Sequence, residues 1–353
     1  MAQGQGGLRK IGFGQCGLIL ESRLGVVVLK LCKAGYSDGL WNDCLAHSRV
    51  AEAFRVRHSD RPDVLIPRIY AWVAQEDSAW WADHSEVIPR KKAEFPQPSR
   101  VLITERIPRL SCAYRDLFID LFCPPANQEQ ARACDANRDC LARVYLGRKS
   151  PSKKSCNFTL RNFNLHLDQM RMLGMPVKKY ARSIAEALAV IHWGANVTGY
   201  DIEFVLGGPS SSAPEDPSTS TPNTALSAIE PPGTQIQRKK TQLEHQLWVL
   251  DFNLCGMWEA RTALEQPGIL IECLVEAFFE NDPYYPLPLA EDPEDQRLWV
   301  VFKQSYKSTA EQVLESSDRR LEALPDRFLR ACEGRERRML ASGRGHWARD
   351  QKH

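Results

Sequence analysis

The stretch that decides the fold is His192 to Gly208, HWGANVTGYDIEFVLGG. An apolar stripe at helical spacing runs into it. PVKKYARSIAEALAVIHWG carries Tyr180, Ile184, Ala187, Leu188 and Ile191 on one face, with Pro176 near the start, a position where a helix tolerates a residue without an N–H. Phe204-Val205-Leu206 then reads as an apolar strand. Between helix and strand lies a short turn holding the carboxylates Asp201 and Glu203.

Downstream, residues 207–240 are dense in Pro, Ser, Thr and Gly without a period and read as a disordered insertion. QLWVLDFNLC follows, a buried strand within 247–255 that ends in polar residues, and helical patterns continue to Gly343. Upstream, residues 8–33 read as two strands joined by a turn, and 40–57 as a helix with Leu40, Trp41, Cys44, Leu45, Val50, Ala51 and Phe54 at helical spacing. A strand pair is expected around Val64–Val73 and Ser99–Ile107. After Pro108 the texture turns helical, with short helical or mixed segments at 133–147 and 158–174. The expectation is an α+β protein of two lobes, a small β-rich one at 1–110 and a mainly helical one at 111–353.

This order resembles a degenerate protein kinase. Gly12, Gly14 and Gly17 precede a strand, and Lys30 follows on the next one. In kinases a glycine hairpin covers phosphates, a strand lysine neutralises them, and a helix glutamate pairs with the lysine; Glu52 is the candidate partner here. Thr104 to Ile107 falls where the chain would cross between lobes. A kinase loop carries Asp, four residues, then Asn, whereas aligning the apolar strand puts Thr198 and Glu203 in those places. Asp251-Phe252-Asn253 stands for Asp-Phe-Gly. The base is missing, but Asp201, Glu203 and Asp251 are expected to face one cleft. Three carboxylates suit two metal ions or a cationic ligand, and a guanidinium, with its planar fork of donors, fits carboxylates by charge and geometry together.

The chain has 353 residues, 43% hydrophobic and 25% charged, enough to bury a full core. No run of eighteen apolar residues occurs and the first residues lack an apolar signal core, so neither a membrane span nor secretion is expected and the cytoplasm is the default address. Eleven scattered cysteines include no CxxC, so thiols rather than zinc ligands are expected. A net charge of +2 does not mark a nucleic-acid binder, though local basic clusters could track a phosphate backbone.

IGFGQCG, VLKLCK, LITERIP, CLARVYLGR, NFTLRNFNLHLDQM, GYDIEFVLGG, LWVLDFNLC and FFENDPYYPLP together also resemble a family of fungal kinase-like proteins of unknown function, often named zinc finger proteins, some of which are arginine-containing cyclodipeptide synthases. The resemblance implies an aminoacyltransferase that takes arginine from arginyl-tRNA and a second residue from another charged tRNA, releasing a cyclo(Arg-Xaa) diketopiperazine. It implies Asp201 or Glu203 as proton acceptor or amine anchor, and Asp251, Asn253, Lys30 and Glu52 around the substrate. Lys178, Lys179, Arg238, Lys239 and Lys240 would contact tRNA. No metal, cofactor or DNA is expected. The readings from other classes are an ATP-dependent small-molecule kinase and a pseudokinase-like binding module.

Overall fold

The computed structural model describes residues 8–22, 24–57, 63–86, 88, 94–151, 157–210, 244–315 and 317–343. The fold is α+β, a β-rich N-terminal region followed by a mainly helical C-terminal one. The first sheet has strand order β1-β2-β3-β6-β5, formed by β1 (Arg9–Phe13), β2 (Gly17–Glu21), β3 (Val27–Cys32), β5 (Ile69–Val73) and β6 (Val101–Glu105). Residues 8–33 thus hold three strands where two are expected. Strand alternation divides the sheet into two faces. Leu18, Leu20, Leu29, Leu31, Val73 and Val101 are buried together with Trp81 of α2 (Ser78–His84). Ile19, Val28, Lys30, Leu102 and Thr104 line the cleft on the other face. Gly17 is required where β2 meets β3, since a Cβ there would lie 2.5 Å from the Leu31 carbonyl oxygen.

Helix α1 (Ser37–Arg57) turns Leu40, Asp43, Cys44, His47, Val50 and Phe54 inward. Its basic last turn, Arg55 and Arg57, complements the helix dipole. The second sheet, β4-β10-β9-β7-β8, is built from β4 (Val64–Leu65), β7 (Ala142–Tyr145), β8 (Phe163–His166), β9 (Glu203–Gly207) and β10 (Gln246–Leu250). β4 pairs parallel with β10, so hydrogen bonds cross the expected boundary near residue 110. Gly207, expected to open the insertion, instead ends the interior strand β9, where it pairs with Gln246 of β10, and Gly208 follows directly after it. The Gly208 N–H donates to the Pro108 carbonyl at 2.7 Å, and Trp248 Nε1 donates to the Gly208 carbonyl at 3.2 Å. The rest of that insertion, from 211 to 240, lies outside the described residues.

The helical region comprises α3 (Cys112–Phe122), α4 (Gln128–Ala133), α5 (Leu167–Met172), α6 (Val177–Ala189), α7 (Ala260–Glu265), α8 (Pro267–Glu280), α9 (Pro293–Val313), α10 (Arg319–Glu322) and α11 (Leu324–Ala341). The apolar stripe of α6 is buried as its period predicts, through Tyr180, Ala181, Ile184, Ala185 and Leu188. The helix ends in a π-turn, Val190–Gly194, a widening often found beside functional sites. Its His192 is fully enclosed. Trp193 Nε1 donates to the Tyr306 hydroxyl at 2.7 Å, and that hydroxyl lies 2.8 Å from His192 Nδ1. Burial pushes His192 down to about 3, so it is a neutral packing residue that anchors the loop after it.

Candidate functional site

The loop leaving the π-turn is clamped from two sides. Thr198, which stands where a kinase would carry its base, has a structural use: its N–H donates to the Gly256 carbonyl, and its hydroxyl accepts from the Gly256 N–H, each at 2.9 Å. On the other side Asn281, buried just after α8, donates to the Gly199 carbonyl at 2.9 Å and accepts from the Asp201 N–H at 2.5 Å. The loop therefore holds Asp201 with a left-handed backbone, φ 63°, a conformation that Asp tolerates better than most residues. Asp251, at the end of β10, is held the same way at φ 66°.

These turns bring Asp201, Glu203 and Asp251 to one cleft of about 520 Å³ between the two sheets, together with Lys30, Asp43, Arg143 and Asn253. Lys30 Nζ lies 2.7 Å from Asp43 and 3.0 Å from Asp251. Burial alone would lower the Lys30 pKa; the two carboxylates outweigh it and keep the ammonium charged. Asp43 is likewise held below the usual carboxylate range, because the Lys30 charge overrides the cost of burial. Asp43 also accepts from the Phe252 N–H at 3.0 Å. Asn42 donates to the carbonyls of Asn253 and Cys255 at 3.0 and 2.9 Å. Helix α1 thus fixes the Asp251-Phe252-Asn253 turn directly. Asn253 Nδ2 reaches Gln15 of the glycine hairpin at 3.2 Å.

The expectation that Glu52 partners Lys30 is corrected: Glu52 is exposed on α1 and pairs with Arg55 at 2.7 Å. Asp43 falls within the buried stripe of that helix and Glu52 outside it.

Glu203 opens β9 and touches Arg143 of the neighbouring strand β7. Arg143 also reaches Asp282 at 2.7 Å, and Asp282 accepts from the Tyr145 hydroxyl at 2.7 Å. Burial raises Glu203 and Arg143 opposes it. The further charges of Asp251, Asp282 and Asp201 then push it up, to about 7. Asp201 is raised by burial and by Asp251 and Asp282. The cleft floor is thus an acidic cluster with one carboxyl poised to exchange a proton near neutrality.

Of the residues expected to contact tRNA, Lys178 and Lys179 are exposed at the start of α6, with Lys179 paired to Asp63 at 3.0 Å, and neither lines the cleft. Arg238, Lys239 and Lys240 lie outside the described residues. Asp43, Arg143 and Asp282 join the site without having been singled out by the sequence.

A family model with the description "Zinc finger protein" matches residues 247–318, about a fifth of the chain. No curated protein and no solved structure matches. The resemblance to arginine-containing cyclodipeptide synthases and to a kinase-like family is therefore corrected: the family model that matches covers only this short segment, and its description names neither a cyclodipeptide synthase nor a kinase. That segment contains Cys255 and Cys273 and no histidine. Among the described residues no group of three or more His, Cys, Asp or Glu is placed to hold a metal ion, and no helix is long and apolar enough to cross a membrane.

Proposed function

We propose that the cleft is the active site of an aminoacyltransferase that joins arginine to a second amino acid, both supplied as aminoacyl-tRNA esters, and closes them to a cyclo(Arg-Xaa) diketopiperazine. The reading rests on the acidic floor and not on family membership. Its single carrying observation is Glu203, a carboxyl near 7 set among Asp201, Asp251 and Asp282. An amine can attack an ester only after losing a proton, and a base acts best when its pKa lies near the working pH. Glu203 takes the proton from the ammonium of one aminoacyl group. The amine attacks the carbonyl of the other, a C–N bond forms and the ester C–O bond breaks; the departing ribose oxygen takes the proton held by Glu203, and the proton that the new amide nitrogen sheds leaves to solvent through Glu203. Repeating the step within the dipeptidyl ester closes the ring and frees the second tRNA. Asp201 and Asp251 supply carboxylates for a guanidinium. The ester is already activated, so no phosphoryl transfer is required. The reaction would take place in the cytoplasm, where charged tRNA is made.

The test is to incubate the protein with arginine, the other amino acids, total tRNA, synthetases and ATP, and to search by mass spectrometry for an arginine-containing cyclic dipeptide. Loss of the product with ribonuclease, and in Glu203→Gln, supports the proposal; no product from folded protein refutes it. One observation favours a second reading. Lys30, held between Asp43 and Asp251 below the glycine hairpin, has the surroundings of a phosphate-neutralising lysine. Magnesium-dependent ATP turnover lost in Lys30→Ala would select that phosphotransferase instead.

A further inference from the structure

The cleft's rim has the opposite charge to its floor, and its chemistry is that of a nucleic-acid end. β1 pairs with β2 through a register shift between Lys10 and Gly12. In a regular strand residues 10 and 13 point to opposite faces; the bulge removes that alternation. Lys10 Nζ accordingly lies 5.4 Å from the centre of the Phe13 ring. Lys33, beyond β3, lies 5.6 Å from the same ring and 5.2 Å from that of Tyr36. Phe13 is 53% exposed although one edge contacts Phe95. Arg161, from the loop before β8, donates to the Ile11 carbonyl and pins the bulge to the second sheet. Arg109 lines the same mouth. Among the described residues, Lys10, Lys33 and Arg109 have no carboxylate within ion-pair distance, whereas Arg9 and Arg106 beside them are tied to Glu21 and Asp139.

An exposed ring beside cations that stand in no ion pair is an arrangement that binds single-stranded nucleic acid: Lys10 and Lys33, now over the ring, would leave it to meet phosphates while a base stacks in their place. We propose that Phe13, Lys10, Lys33 and Arg109 hold the single-stranded 3′ end of an RNA, with its terminal base on Phe13, and that Arg161 positions the hairpin which presents them. This rests on the proposed use of aminoacyl-tRNA and names where the acceptor end lies. Lys10, Phe13 and Arg109 also border the cleft, so a 3′ end held here lies at its mouth, and a polyanion carrying a cationic amino acid would match both the basic rim and the acidic floor.

The test is fluorescence anisotropy of the full chain with a labelled single-stranded RNA ending in a free 3′-adenosine. Phe13→Leu keeps an apolar contact for Phe95 but offers no ring. It is expected to weaken binding about ten-fold, while Phe13→Tyr binds as the wild type. Lys10→Ala and Lys33→Ala should each reduce the slope of log affinity against log salt by about 0.7. Wild-type affinity and salt slope in all these variants would overturn the proposal. So would Phe13-dependent binding of ATP with no binding of RNA, which would make the rim a nucleotide site. Phe13-dependent RNA binding by a protein that forms no cyclic dipeptide would sustain the rim and refute the aminoacyltransferase reading. Product formation unchanged in Phe13→Leu and the lysine variants would sustain the floor and refute the rim.

Discussion

Glu203 ties the chemistry of the cleft to the stability of the fold, and Glu203→Gln separates the two. Its carboxyl titrates at about 7 in the folded chain against 4.5 for an ordinary glutamate, and its side chain is only 20% exposed. A difference of that size is worth about 3 kcal/mol. Below about pH 4.5 the group is protonated in folded and unfolded chains alike. As pH rises from there, the unfolded chain releases the proton while the folded chain retains it. The unfolded state then binds fewer protons, so stability falls until the folded carboxyl ionises at about 7, where the loss is complete. The glutamine variant has no carboxyl to titrate at this position. Unfolding free energies from urea titrations followed by tryptophan fluorescence should therefore show the wild type losing about 3 kcal/mol relative to Glu203→Gln between about pH 4.5 and 8. A difference that stays flat would refute the reasoning. A difference that grows in favour of the wild type as pH rises would show that the Arg143 charge outweighs burial and that Glu203 is an ordinary ion-pair carboxylate.

Lys30→Met leaves Asp43 buried without its cation and is expected to cost about 3–5 kcal/mol; adding Asp43→Asn should recover part of that, and additive losses in a double-mutant cycle would remove the ion pair from the account. Asp201→Asn keeps a side chain that accepts a left-handed backbone, so its urea midpoint should stay near that of the wild type while product formation falls at least ten-fold; Asp201→Ala should lose about 1 kcal/mol as well, through the backbone alone. Arg143→Gln removes the cation that opposes the rise of Glu203, so the rising limb of the activity–pH profile should move above 7, and an unmoved limb would assign that limb to another group.

The helix, loop and strand of residues 177–207 are legible in the sequence because one hydrophobic stripe of period 3.6 gives way to an apolar strand, and both are buried as the pattern requires. β1 is not legible, because the irregularity at Ile11 breaks the period-two signal on which a strand is recognised. The partner of Lys30 is within reach of the sequence. Asp43 sits three residues after Leu40 and four before His47, inside the apolar stripe of α1, and a carboxylate in such a stripe requires a cation; choosing Glu52 follows residue type and ignores helix phase. Arg143 and Asp282 carry no local signal at all. Their ion pair joins residues 139 positions apart, and it forms only because β7 lies beside β9 and the turn after α8 folds back against both.

The floor holds more carboxylates than cations. Asp43, Asp201, Glu203, Asp251 and Asp282 face Lys30 and Arg143. Desolvating such an excess is costly, and the fold reduces the cost in two ways: Lys30 is shared between Asp43 and Asp251, and Arg143 between Glu203 and Asp282. Among the described residues Asp201 has no cation within ion-pair distance, and Asn281 binds only its main chain. The carboxyl that retains its proton near neutrality is Glu203, and the charge of Asp201 is among those that raise it. A cation entering beside Asp201 would relieve both conditions together, lowering the field on Glu203 and promoting its ionisation at the moment a substrate ammonium needs a proton acceptor. The raised carboxyl and the left-handed turn at Asp201 are then two parts of one arrangement, a floor with fewer cations than carboxylates, which on the proposed reading a cationic substrate would offset.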